Sequence, residues 1–142
     1  MISKEINLID YLHFEENYKK ILVTGGLGFI GSALILRLLK NTNSKIFNID
    51  KLIQKSNSLS VNNQFSIYGK SRYQFLNHDL KDNDCLRKIF KEYEPDIVFH
   101  LAAESHVDRS IENSKPFLKS NIIGTFNILE STRIHWENMK SS

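Results

Sequence analysis

Ile21-Leu22-Val23-Thr24-Gly25-Gly26-Leu27-Gly28-Phe29-Ile30-Gly31-Ser32 is the stretch that decides the fold. An all-apolar run stops abruptly at a knot of glycines, and an apolar helical period begins beyond it. Buried parallel strands read as unbroken apolar runs because helices cover both faces of the sheet. Four of the chain's 6 glycines fall in this stretch, so their crowding is local and calls for a local cause. They fit G-x-x-G-x-x-G counted from Gly25, or G-x-G-x-x-G counted from Gly26. Either way the requirement is the same. A side chain would block the tight turn, keep the backbone from an approaching diphosphate, or hold the following helix off its strand. The helix start then offers N–H groups and a positive dipole end to phosphate oxygens. An ordinary glycine turn is the competing reading, and the flanking strand and helix argue against it.

Outward from this turn the pattern alternates. Ile30, Ala33, Leu34 and Leu38 mark a helix that Asn41 and Asn43 end. Lys45-Ile46-Phe47-Asn48-Ile49-Asp50 reads as a second strand, completing a unit of βαβ size. Residues 51–71 are polar and irregular, a long loop with one helical turn at most. Tyr73, Phe75 and Leu76 mark a third strand ending near His78-Asp79. Leu86, Ile89, Phe90 and Tyr93 share a helix face, Asp82 or Asn83 can cap it, and Pro95 blocks its continuation. Ile97-Val98-Phe99-His100-Leu101 is a fourth strand. Ser114-Lys115-Pro116 opens a last helix with Leu118, Ile122, Phe126 and Leu129 on one stripe.

Strands alternating with helices predict an α/β chain with a doubly wound parallel sheet. Right-handed crossovers give strand order 3-2-1-4, a partial Rossmann arrangement whose switch point lies between strands 1 and 4. A full sheet would continue into a fifth strand, and the chain is expected to stop before it. Residues 1–19 read as a weakly amphipathic leader, and residues 20–142 as one dinucleotide-binding domain.

Composition narrows the class. The 142 residues are 41% hydrophobic and 25% charged, which excludes a disordered tail. No apolar run reaches the length of a membrane-spanning helix. The 19 basic and 16 acidic residues are scattered, so no nucleic-acid footprint is indicated. The single cysteine, Cys85, excludes an internal disulfide and fits a reducing, cytoplasmic setting.

Two positions at strand ends carry chemistry. Asp50 lies about 20 residues beyond the glycines, where a carboxylate accepts from a ribose hydroxyl and repels a 2′-phosphate, favouring NAD over NADP. Lys51 beside it partly offsets that repulsion. Asp79 ends strand 3 at the adenine side of such a pocket, with a solvated turn residue as the alternative. Past strand 4, Ala102-Ala103 would let backbone approach a cofactor. The polar run Glu104-Ser105-His106-Val107-Asp108-Arg109-Ser110 invites a hydrolase reading, but the strand–G-x-S-x-G–helix turn is missing, and neighbours in sequence are not a triad. His100, Glu104 and His106 do not have zinc-ligand spacing. His13, His78, His100 and His135 read as ordinary surface or core histidines.

The glycine stretch resembles the opening of the extended short-chain dehydrogenases/reductases. Asn48-Ile49-Asp50-Lys51-Leu52, His100-Leu101-Ala102-Ala103-Glu104-Ser105-His106-Val107-Asp108-Arg109-Ser110-Ile111 and Ser120-Asn121-Ile122-Ile123-Gly124-Thr125 resemble, within that family, the nucleotide-sugar 4,6-dehydratases of dTDP-glucose type. The resemblance runs from about Lys20 to Trp136 and covers roughly the first two-fifths of a family member. It implies NAD as cofactor and a dTDP-glucose-like nucleotide sugar as substrate of the parent enzyme. It places Gly25, Gly28, Phe29, Ile30 and Gly31 against the cofactor phosphates. Asp50, Lys51 and Leu52 would surround the adenosine ribose, and Asp79 and Leu80 would border the adenine. Leu101, Ala102, Ala103, Glu104 and Ser105 would line the nicotinamide side, Ser105 also nearing the sugar nucleotide. Ser120 would be a further cofactor contact and Asn121 would shape the active site. Ile53 and Ser56 depart from the threonine and glycine usual in the family's ribose loop.

The resemblance also implies a tyrosine base with a lysine four residues on, and an aspartate–glutamate pair. Four positions past Tyr11, Tyr18, Tyr68, Tyr73 and Tyr93 stand Glu15, Leu22, Arg72, Asn77 and Ile97. Neither motif is in these residues, and no catalytic residue is assigned. The expectation is an NAD-binding part, inactive alone. The alternative is a non-catalytic NAD-binding module that senses cofactor or docks a partner. An uncovered edge of strand 4 and part of the last helix should promote association, as a homodimer or otherwise.

Overall fold

A computed structural model of the chain describes residues 18–51, 63–65, 67, 70–104 and 115–141. Its element order is β1 (Lys20–Thr24), α1 (Phe29–Asn41), β2 (Lys45–Asp50), a 3-10 turn (Lys70–Arg72), β3 (Tyr73–Asn77), α2 (Asn83–Tyr93), β4 (Ile97–His100), α3 (Lys115–Leu118), a π-helical turn (Lys119–Gly124) and α4 (Thr125–Lys140). The strands pair in the order β3-β2-β1-β4, and all three pairings are parallel. This is the expected Rossmann arrangement. The expected leader falls outside the described residues up to position 17. Tyr18 and Lys19 already join the sheet's base: Ser44 Oγ donates to the Tyr18 carbonyl and Lys45 N–H to that of Lys19.

Period-two alternation along fully buried strands explains the two cores. Ile21, Val23 and Ile46 face Ile35, Leu38 and Leu39 of α1, together with Phe65 and Tyr73. Leu22, Phe47 and Ile49 face the other way, onto Leu86, Ile89 and Phe90 of α2 and Ile128 of α4. Burial of each such side chain contributes about 1.5–3 kcal/mol. A sheet so covered is apolar on both faces, hence the unbroken runs in the sequence.

Local differences from expectation have physical causes. The buried face of α1 is Gly31, Ile35, Leu38 and Leu39, whereas Ile30 and Ala33 are exposed. Gly31 must lie against the β1 turn, and that requirement rotates the helix. Asp82 caps α2 by accepting from Cys85 N–H at 3.0 Å. That helix stops at Tyr93, with Glu94 left-handed at φ 46° just before Pro95. Phe65, in the polar stretch read as loop, is buried and meets Tyr73 edge-on at 5.3 Å between ring centres. Beyond the carboxyl ends of β1 and β4 the chain order reverses, so a crevice opens between the glycine turn and residues 101–104.

Candidate functional site at the sheet switch point

The glycine turn is held from below by the backbone and side chains of β2. Gly25 N–H donates to the Ile49 carbonyl at 3.0 Å, Gly26 N–H to Asn48 Oδ1 at 3.1 Å, and Leu27 N–H to Asp50 Oδ2 at 2.9 Å. Successive amides are thus consumed up to Gly28, whose N–H closes the turn on the Gly25 carbonyl at 3.1 Å. The helix then starts at Phe29 with no side-chain cap and no acidic residue in its first turn. Among the described residues no side chain accepts from its first N–H groups, which suits an anion site.

Sterics agree. Gly25 is left-handed at φ +72°, and a Cβ there would come within 2.5 Å of Ala102 N. A Cβ at Gly31 would run into the Gly25 carbonyl. Gly28 is exposed and extended, and its Cβ would meet only the Gly25 carbonyl, at 3.2 Å. So Gly25 and Gly31 serve the fold, while Gly28 leaves open the space above the turn. Phe29 is 94% exposed beside that space, and Ile30 is also exposed.

Asp50 is spread over two tasks. Its Oδ2 takes the Leu27 amide and its Oδ1 the Lys51 amide at 2.8 Å. Burial pushes its carboxyl above the ordinary value, against the pull of those two hydrogen bonds. Beneath it, fully buried Asn48 links the turn to Tyr73, donating from Nδ2 to the phenol oxygen at 3.0 Å. Burial pushes that phenol up to about 12. A single asparagine inside an apolar strand was the available signal for this strut.

Asp79 sits beyond β3, alongside Lys51 and Lys81. Lys51 Nζ lies 2.9 Å and Lys81 Nζ 3.1 Å from Asp79 Oδ2, and Lys81 N–H donates to Oδ1. Burial opposes ionisation of Asp79, but these partners outweigh it and hold the carboxyl below the usual range. Leu80 is anchored by Asn127, whose Nδ2 donates to its carbonyl at 2.9 Å.

Across the crevice, Leu101 N–H donates to the Thr24 carbonyl at 3.1 Å. Glu104 and Asn121 exchange two hydrogen bonds: Glu104 N–H to Oδ1 at 2.8 Å, and Nδ2 to the Glu104 carbonyl at 3.0 Å. Asn121 and Ser120 lie in the π-helical turn, a feature that recurs at functional sites. The structure therefore brings Gly25–Gly31, Asp50, Lys51, Asp79, Leu80, Leu101–Glu104 and Ser120 to one edge of the sheet. Leu52 and Ser105 lie outside the described residues, as does the polar run beyond Glu104. A groove lined by Arg87, Phe90, Ser131 and His135 lies at the opposite edge, near Pro95, and contains none of these residues.

A sequence profile described as GDP-mannose 4,6 dehydratase matches residues 22–142. The chain belongs to this family. The dTDP-glucose 4,6-dehydratase of Neisseria meningitidis serogroup B is 46% identical over 123 residues, which is 87% of this chain and 34% of that protein. The Salmonella typhimurium dTDP-glucose 4,6-dehydratase is 47% identical over 117 residues, 82% of this chain and 32% of that one. The chain spans about a third of the length of the curated relatives it matches. Among solved structures, UDP-glucose-4-epimerase from Stenotrophomonas maltophila, with bound NAD and formylated UDP-arabinopyranose, matches with TM-score 0.71 and 26% identity over 81% of this chain and 33% of its own. Thermus thermophilus UDP-glucose 4-epimerase in complex with NAD matches with TM-score 0.67 and 31% identity over 82% of this chain and 34% of its own. The resemblance read from the motifs is thereby borne out at the level of family and fold. Among the described residues no helix is long and apolar enough to cross a membrane.

Proposed function

We propose that residues 20–142 form the NAD-binding part of a nucleotide-sugar 4,6-dehydratase of dTDP-glucose type, with residues 1–19 as a leader. The observation that carries this reading is the glycine turn. Its own amides are tied down by β2, and the first turn of α1 is uncapped beneath an open space at Gly28. In this reading the diphosphate lies on the α1 amides, with Phe29 and Ile30 flanking it. Asp50, Lys51 and Leu52 take the adenosine ribose, with Asp79 and Leu80 at the adenine. Leu101–Ser105 line the nicotinamide side, Ser105 also bordering the sugar nucleotide, and Ser120 is a further cofactor contact.

Bound NAD would supply a hydride acceptor. The chain's own share is to bind and orient it. Proton transfer needs a tuned acid or base within reach of the sugar, and none of the five tyrosines has a lysine four positions on. The chain alone is therefore expected to bind NAD, to bind NADP more weakly because Asp50 repels a 2′-phosphate, and to leave dTDP-glucose unchanged. Calorimetric titration with both dinucleotides, and product analysis with dTDP-glucose, check all three. Absence of NAD binding, or turnover by the chain alone, overturns the reading.

A further inference from the structure

His100 stands at the centre of a hydrogen-bond chain whose direction its partners dictate. Its Nε2 is 3.0 Å from Thr125 Oγ1, and its Nδ1 is 2.6 Å from Thr24 Oγ1. The Thr125 hydroxyl spends its one proton on the Asn121 carbonyl, at 2.7 Å. It can only accept from His100, so Nε2 carries the hydrogen. In a neutral ring Nδ1 is then an acceptor, and the Thr24 hydroxyl donates to it. That leaves a lone pair on the Thr24 oxygen for Ala102 N–H, 3.3 Å away. Every donor finds an acceptor in one sense only: Ala102 to Thr24 to His100, then His100 to Thr125 to Asn121.

The chain closes on itself. Asn121, whose carbonyl ends it, clasps the backbone of Glu104 through its side chain. Residues 102 and 104 are thus gripped from both ends of one circuit running through β1, β4, the π-helical turn and α4. Thr24 is fully buried, so a reversed hydroxyl there would have no water to turn to.

We propose that His100 is a positioning residue, held as the Nε2–H tautomer, that fixes the course of residues 102–104 along the cofactor crevice. The proposal rests on the NAD reading for its functional consequence, but the circuit itself can be tested separately. Thr125→Val keeps the shape of the side chain and removes the hydroxyl, whereas Thr125→Ser keeps the hydroxyl. The expected result is NAD binding weakened about fivefold in Thr125→Val, the worth of one net hydrogen bond, and restored to within about twofold in Thr125→Ser. Nitrogen NMR of the His100 ring should show protonated Nε2 and bare Nδ1 in the natural chain. Amide exchange at Ala102 and Glu104 should quicken in Thr125→Val and not in Thr125→Ser. If the natural chain takes up no NAD, the cofactor reading fails, and tautomer and exchange still decide the positioning role. Protonated Nδ1, or exchange and NAD affinity unmoved by Thr125→Val, overturns it.

Discussion

Helix α1 and the helical stretch 115–140 cover the same sheet in opposite ways. α1 turns Ile35, Leu38 and Leu39 inward, as an amphipathic helix should. α4 buries Asn127, Ile128 and Ser131 and leaves Phe126 and Leu129 at 61% and 64% exposure. Leu118 and Ile122 continue that outward stripe through α3 and the π-helical turn. The inward face of α4 carries one apolar side chain, Ile128, between two polar ones, and Asn127 there holds the Leu80 and Lys81 carbonyls, while a Cβ at Gly124 just before the helix would press on Leu80. The apolar period read from the sequence thus locates a helix in both cases, but it names the core-facing side in neither, since Ile30 and Ala33 face outward from α1 as Phe126 and Leu129 do from α4.

The largest effect should separate the two helices outright. Ile35→Ala, at a site with no exposure, is expected to cost about 2–5 kcal/mol. Leu129→Ala should stay within about 0.5 kcal/mol, as exposed sites do. Urea unfolding of both variants decides this, and equal losses would mean that the outward stripe is packed after all. A second effect concerns association. The stripe and the β4 edge should draw chains together at micromolar concentration, and Phe126→Ser with Leu129→Ser should shift light scattering toward the monomer. A natural chain that scatters as a monodisperse, stable monomer would break the comparison.

A smaller effect is electrostatic. Burial pushes His100 below its ordinary 6.5, so the fold holds it neutral. The unfolded chain takes up that proton first, so this stability is complete above 6.5 and is lost as pH falls below it. Asp79, held below 3.8, contributes stability that is lost only as pH falls through its lowered value. Asp50, pushed above 3.8, acts in the opposite sense, because its fold favours the protonated acid and loses stability as pH rises through the raised value. Thermal melts across pH should therefore show a decline starting near 6.5. His100→Gln, which keeps a polar tip, should flatten that decline and leave the acid limb in place.

What could be read in advance followed from the kind of constraint at each place. The glycine turn was legible because Gly25 and Gly31 are demanded by backbone geometry, and such demands admit one residue type. β1 and β2 were legible because two covered faces leave little room for polar side chains, with Thr24 and Asn48 the buried exceptions. The strand order followed from crossover handedness. Phe65 was hidden, since one buried ring in a polar stretch has no period. The His100 circuit was hidden as well, because Thr24, Thr125 and Asn121 meet only through the fold. The π-helical turn left no periodic trace of its own.

Gly28 tests the central claim most directly. It is extended at φ −75°, so any residue can stand there, and it alone among the four turn glycines guards open space rather than the fold. NAD should be titrated calorimetrically into the natural chain and into Gly28→Val, with melting followed in parallel. The account predicts NAD affinity lowered at least about tenfold, with a stability change of no more than about 1 kcal/mol. Affinity equal to that of the natural chain would contradict it.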